Sequence, residues 1–494
     1  MRLRFLASIA LLAVPLSAEV KLPAIISDHM LIQQQMPVRI WGKAAPGEKV
    51  TVEINGQQTS AVADNSGAWE AFLQPMTAGG PYEMKINQVV VHDVLIGEVW
   101  VGSGQSNMEL PMTRVNDADA EIAAANYPKM RLFTVKKKVS ETPLDDVEGA
   151  WSLCTPESTR NFSAVGYFFS RYIHQNRNVP VGFIHSSWGG TPAQSWTTHP
   201  TLEANPLLKP ILEDWEKTLS SYPAANERYQ QQLAAYKTAA AEAKAAGKPA
   251  PTAPRPPTGP GHPNTPAGLW NAMIAPITPY AIRGVLWYQG EANAGQQTAY
   301  PYRYLFRAMI EDWRHEWAQG DFPFLFVQLA SFHSNGYWPV LRESQTDALE
   351  LRNTGMAVID DIGESNNIHP KNKQDVGKRL ALAAQAIAYG ERIEYSGPMF
   401  RELTSEGNKL RVYFDHIGTG LEVRGGGELL GFEIAGKTEG FVPAEARVDG
   451  STVVVSCDQV TDPARIRYAW ADDPKATLEN REGLQAGPFR ADLK

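Results

Sequence analysis

The chain has 494 residues, 43% of them hydrophobic and 20% charged, a composition that allows two to four globular domains and excludes a disordered tail, a coiled coil or a collagen. Its 46 Lys and Arg against 54 Asp and Glu give a formal net charge of −8, so no basic excess is available to neutralise phosphates or anionic lipid, and nucleic acid is not an expected partner. Aromatic residues make up 10%, including 13 Trp, which suits either large cores or flat faces that stack sugar rings.

Residues 1–18 carry Arg2 and Arg4, then an almost wholly apolar run over 5–16, then Ser17 and Ala18. This is the pattern of a secretory signal peptide, which would make the mature protein exported, periplasmic or secreted. The run is too short to cross a bilayer and no later segment approaches ~20 apolar residues, so no membrane anchor is expected. Residues 19–93 show short alternating segments at 38–41, 49–54 and 82–91, punctuated by turn signals at 45–47, 55–56 and 65–67, and predict an N-terminal β module.

From 94 to 390 the pattern changes. Apolar strand-like runs at 94–101, 131–135, 179–185, 284–288, 322–329 and 356–359 alternate with helical periodicity, the signature of a parallel sheet with crossover helices. Leu305, Met309, Trp313 and Trp317 precede Gly320, and Val376, Leu380, Ala384 and Ile387 precede Gly390, each set giving one apolar face and a glycine stop. An insertion at 203–266 interrupts this α/β domain. Its first part, rich in Ala, Lys, Glu and Gln, predicts exposed helices, and the eight prolines of 249–266 predict an extended loop. The β pattern returns over 391–494 as a C-terminal β module. Cys154 and Cys457 fall in different regions and are expected as two buried thiols rather than a bridge.

In open α/β sheets the ligand sits at the carboxyl ends of the strands, and four segments there carry chemistry. Ser106 follows the run at 94–101 in a Gly-rich turn that is not the G-x-S-x-G elbow, because Met108 takes the place of the second glycine. Gly189 and Gly190, after Trp188, could aim backbone N–H groups at an oxyanion. Gln289 could donate its amide to the same oxyanion, and Glu291 could bind sugar hydroxyls or orient another group. Of ten histidines, His369 is the one placed in a polar loop directly between a sheet strand and a helix, where a general base is needed. Each segment alone also reads as an ordinary turn or cap, but nucleophile, donors and base at the strand ends of one sheet make a constellation for acyl transfer. His174, His185, His199 and His262 lack metal-ligand spacing, and Gly102 and Gly104 lack the rest of a nucleotide fingerprint, so neither metal nor cofactor is expected.

The motifs GQSNM at 104–108, WGGT at 188–191, WYQGE at 287–291 and DIGESNNIHPKNK at 361–373 together resemble the sialate O-acetylesterase family of SGNH-type hydrolases. SDHMLIQQ at 27–34, NAMIAPITPYAIRG at 271–284 and RYAWADDP at 467–474 extend the resemblance over nearly the whole chain, apart from 203–266. It implies a three-layer α/β/α hydrolase flanked by β-rich modules that cleaves O-acetyl esters on carbohydrate. Ser106 would be the nucleophile and His369 the general base. The oxyanion would lie on the Ser106 backbone N–H, an N–H of Gly189 or Gly190, and the Gln289 amide, with Trp188 and Glu291 binding substrate. Gln289 stands where the wider group has Asn, and Asn366 stands where it has the Asp of the triad. A carboxylate partner for His369 would then come from Asp360, Asp361, Glu364 or Glu291, or be replaced by an amide, and Glu364 is favoured because it shares the histidine loop and can fold back. The substrate would be an acetylated sialic acid or an acetylated plant polysaccharide such as xylan or xyloglucan. The reading from another class is a secreted carbohydrate-binding protein without activity; a glycosidase using Glu291 and Glu364 leaves Ser106 and His369 without a role.

Overall fold

The computed structural model describes residues 20–334 and 336–493; the leader pattern of 1–18 lies outside the described residues. A seven-strand layer forms the centre. In chain order its strands are β1 (Val89–Gly104), β2 (Tyr127–Thr134), β3 (Trp151–Cys154), β4 (Val181–Ser187), β5 (Gly284–Tyr288), β6 (Phe324–Val327) and β7 (Thr354–Ala357). They lie in the order β7-β6-β5-β1-β4-β2-β3, all neighbours parallel except the β2–β3 pair.

The sequence period explains the two covered faces. Trp287, Phe324 and Phe326 point into one apolar layer, and Leu286, Tyr288, Leu325 and Val327, one residue out of phase, point into the other. On the first side lies the helix Tyr302–Trp317, whose Trp313 meets Trp287 at 5.9 Å between ring centroids. On the second lie Ala164–Arg177 and Lys373–Ile387, bringing Phe168, Phe169, Val376 and Leu380. The expected three-layer architecture with flanking β-rich regions is therefore what the chain adopts.

The expected break at residue 93 falls inside a single strand. β1 alternates between exposed and buried over its first residues, then becomes continuously buried from Val94, as a strand does when it passes from a one-sided sheet into a layer covered on both faces. Its first half pairs with Gly79–Ile86 and Leu31–Gln33, and its second half is the centre of the main sheet. Glu98, 1% exposed, fastens this junction, accepting from Gln34 Nε2 at 2.6 Å and Arg283 Nε at 2.7 Å. After residue 398 the chain builds antiparallel sheets around a core of its own. Of the two free cysteines, Cys154 is buried but Cys457 is only half-buried, because it lies just past the end of the strand Thr452–Ser456, where the buried run stops.

Within the insertion, Lys209–Ala245 forms one helix of 37 residues, about 55 Å long at 1.5 Å per residue, with no buried side chain. The chain after it runs back until Gly259 lies flat on the Tyr222 ring, too close for any side chain at 259. Replacing 226–255 by a short Gly-Ser link should therefore leave the melting temperature and the hydrolysis of a small acetyl ester unchanged. A fall of about 10 °C, corresponding to a few kcal/mol in a chain of this size, would show that the protrusion is integral to the fold.

Candidate active site

Four loops leave the carboxyl ends of β1, β4, β5 and β7 and meet over the sheet. Gly104 ends β1 at φ 129°, and a Cβ there would come within 2.2 Å of the Tyr288 carbonyl oxygen, so only glycine lets β1 and β5 close together at this point. The chain then turns into the short helix Ser106–Glu109. Gln105 fixes that turn, its backbone N–H donating to Tyr288 O at 3.0 Å and its side-chain oxygen accepting from Ala292 N at 3.2 Å. From β4, Trp188 N donates to Gly104 O at 3.1 Å, which seats the WGGT segment beside Ser106.

Ser106 and His369, both half-buried, meet directly: Ser106 Oγ lies 2.8 Å from His369 Nε2. Burial pulls the imidazole below its ordinary value, and the nearby cations of Arg114 and Lys373 pull it further. The ring is thus a neutral acceptor near pH 7, and a hydroxyl donating to Nε2 requires the proton on Nδ1. His185 is close by in the same sheet but is buried against Ser187, and its burial drives its pKa down to about 4, so it stays neutral and enclosed.

The expected third member is not where the loop sequence suggested. Among the described residues no carboxylate hydrogen-bonds the His369 ring. Glu364 folds the other way, accepting from Lys371 N at 2.7 Å and Asn367 Nδ2 at 3.0 Å, because the turn at 364–367 closes on itself. Asp361 is held bidentately by Arg379 at 2.6 Å. Asp360 lies 3.1 Å from Arg342 and is raised to about 6 by burial, which Arg342 opposes. Asn366 faces His333. His369 is instead gripped through its main chain: Asn367 accepts from His369 N at 3.1 Å and donates to His369 O at 2.9 Å.

Two of the expected oxyanion donors also prove to be engaged. Both amide hydrogens of Gln289, which is fully buried, go to Asn293 Oδ1 at 2.8 Å and Thr191 O at 3.3 Å, so this side chain shapes the site from behind instead of facing an acetyl group. Gly189 N–H donates to Glu109 Oε2 at 2.7 Å, and Lys137 pairs with the other oxygen of Glu109 at 2.5 Å. Gly190, at φ 79° with open space around its Cα, has no such partner among the described residues. Glu291 was expected to meet sugar hydroxyls, but its carboxylate turns inward: Oε1 accepts from Asn107 at 2.6 Å, and Oε2 is buried with no hydrogen-bond partner among the described residues. Trp188 stays half-exposed at the rim, with Lys137 5.5 Å from its ring centroid.

Asn107, Glu109, Asn367 and Lys373 thus belong to the site, although the sequence singled out none of them. Three lie inside motifs already noted. Glu109 follows GQSNM by one residue, and a carboxylate one helical turn after the serine was the available signal.

A family model described as carbohydrate esterase, sialic acid-specific acetylesterase, matches residues 267–386. The sialate O-acetylesterase of Mus musculus is 34% identical over 450 residues, covering 79% of this chain and 78% of the mouse protein. That of Homo sapiens is 33% identical over 418 residues, covering 76% and 72%. The crystal structure of a carbohydrate acetylesterase from Xanthomonas citri superposes with a TM-score of 0.82 at 37% identity, covering 96% of this chain and all of that one. Identity at this level, held over more than two thirds of either partner and joined to a shared fold, shows that the chain belongs to the sialate O-acetylesterase family of carbohydrate esterases.

Proposed function

We propose that this protein hydrolyses O-acetyl esters on carbohydrate, with Ser106 as nucleophile and His369 as general base. The observation that carries the reading is the 2.8 Å contact between Ser106 Oγ and the Nε2 of a neutral, half-buried imidazole. As Ser106 Oγ attacks the acetyl carbon, Nε2 takes the hydroxyl proton. When the bond from that carbon to the sugar oxygen breaks, the imidazolium returns the proton to the departing alcohol. The same ring then takes a proton from water, whose oxygen bonds the acetyl carbon; the bond from that carbon to Ser106 Oγ breaks, the imidazolium returns the proton to Oγ, and acetate leaves. The backbone N–H groups of Ser106 and Gly190 are the oxyanion donors in this reading. Gly189 contributes by seating the loop on Glu109. The leader-like composition of 1–18 supports export of the enzyme. Acetylated sialic acid is the substrate that the mammalian relatives' name points to, and acetyl-xylan or acetyl-xyloglucan is the polysaccharide alternative; acetate released from a panel of the three identifies the sugar.

A serine-reactive phosphonate should label Ser106 and leave Ser103, which is fully buried in β1, untouched. Ser106→Ala should lower kcat on a chromogenic acetyl ester by at least about a thousandfold. Label on Ser103, or an active Ser106→Ala, would overturn the assignment. Glu364→Gln should change kcat/KM by less than about threefold, because the carboxylate caps its own loop and does not meet the ring; a triad carboxylate would cost on the order of ten-thousandfold. If Trp188 is the platform for the sugar ring, Trp188→Ala should raise KM for acetylated sugars several-fold and leave that for p-nitrophenyl acetate in place, corresponding to about 1 kcal/mol of lost stacking. Equal effects on both esters would remove Trp188 from sugar binding.

A further inference from the structure

Beneath the Ser106–His369 contact lies a buried polar cluster to which the proposed chemistry assigns no task. Lys373, at the start of the last crossover helix, is 0% exposed. Its ammonium donates to Pro370 O at 2.6 Å and to Asn107 Oδ1 at 2.9 Å, and lies 5.4 Å from the Tyr288 ring centroid. Asn107 uses both hydrogens of its amide, donating to Ile368 O at 2.9 Å and Glu291 Oε1 at 2.6 Å. Ile368 and Pro370 are the two neighbours of His369, and Asn107 is the neighbour of Ser106. The carbonyls on both sides of the base are therefore tied to one unit that also carries the nucleophile's turn.

We propose that Lys373 is a positioning residue for the Ser106–His369 pair, acting through Asn107 and through the Pro370 carbonyl to hold the base against the nucleophile in a site where no carboxylate grips the imidazole. This rests on the assignment of Ser106 and His369 above. Placing an ammonium there is costly, since burial without full ionic pairing disfavours the charged form. Burial pulls Lys373 down to about 7, with the carboxylates of Glu291 and Glu364 opposing and Arg114 adding to the fall. A methionine would fill a similar volume without that cost, but it could fasten neither Pro370 nor Asn107.

The charge and the hydrogen bonds of Lys373 act in opposite directions, which makes them separable. A cation beside the imidazole disfavours imidazolium, so losing it should stabilise the charged ring and by itself favour proton uptake. A fall in kcat on removing Lys373 therefore reports lost positioning and not lost charge. The groups facing this region are Arg114, Glu291, Glu364 and the Tyr288 ring, and all of them remain in a Lys373 variant.

The test is steady-state kinetics of Lys373→Met and Lys373→Gln on p-nitrophenyl acetate across pH, beside wild type and Ser106→Ala. In wild type the acid limb of kcat/KM should lie below the ordinary imidazole value of about 6.5. Lys373→Met should lower kcat by roughly ten- to a hundredfold with KM within about threefold, the scale of a small misplacement of reacting groups. Its acid limb should move to higher pH, because His369 has lost a neighbouring cation. Lys373→Gln keeps a donor, so it should recover part of kcat but not the position of the limb; it carries both readouts should the Met variant fail to fold. A kcat within threefold of wild type in Lys373→Met, or an acid limb unmoved in both variants, overturns the proposal while an inactive Ser106→Ala leaves the esterase reading standing. Full activity in Ser106→Ala would instead remove that reading.

Discussion

The structure depends on one hydrogen bond between residues 263 positions apart, Ser106 Oγ and His369 Nε2. Ser106 follows the central strand β1, whereas the histidine loop leaves the edge strand β7, three strand spacings or about 14 Å away. The loop must therefore travel back across the sheet and stop within a few tenths of an ångström of the right place. It is fastened at each stage of that path. Arg342 and Arg379 hold Asp360 and Asp361 at its foot, Asn367 brackets the backbone of His369, and Asn107 and Lys373 hold the carbonyls before and after it. Buried ion pairs of this kind contribute little net stability, since desolvation offsets their attraction, but they penalise any other loop path heavily.

The carboxylates around His369 are accordingly engaged away from its ring. In a triad one of them would steady the imidazolium formed during attack. Among the described residues no carboxylate gives the ring that help, and the charges that act on it, Arg114 and Lys373, are positive. Burial and these two cations keep the imidazole neutral to lower pH than an ordinary histidine. Glu109 shows a related compensation. A lone anion on Gly189 N–H would leave a negative charge beside Ser106, but Lys137 pairs with its other oxygen and leaves a near-neutral unit holding the loop.

Local pattern made the strands, the crossover helices and the four loops legible in the sequence, because strand burial and helical periodicity are written in consecutive residues. That Ser106 and His369 come together was legible for the same reason, each standing at a strand end in a distinctive context. Partner choice was not. Glu364 was favoured because it shares the loop and can reach the ring, but the turn at 364–367 points it at Lys371 N, a geometry that depends on the loop's whole course. Gln289 was expected to face the oxyanion, and only the positions of Asn293 and Thr191 reveal that both its hydrogens are taken. Residue 93 looked like a boundary because the alternation stops there, yet the strand itself continues to Gly104 with a change of cover and not of direction.

The motifs far from Ser106 acquire a physical reason from the same constraint. SDHMLIQQ supplies Gln33 and Gln34, which meet the buried Glu98 in the strand whose end presents Ser106. RYAWADDP supplies the carbonyls of Ala471 and Asp472 to Arg342 at 2.9 and 3.1 Å, and the same guanidinium donates to Leu329 O and Ala330 O and faces Asp360 at the foot of the histidine loop. The N-terminal β region thus steadies the strand that leads to Ser106, and the C-terminal β region steadies the loop that carries His369. Each flanking region sits on one half of the pair, and the distance between Oγ and Nε2 is set by elements drawn from the whole chain.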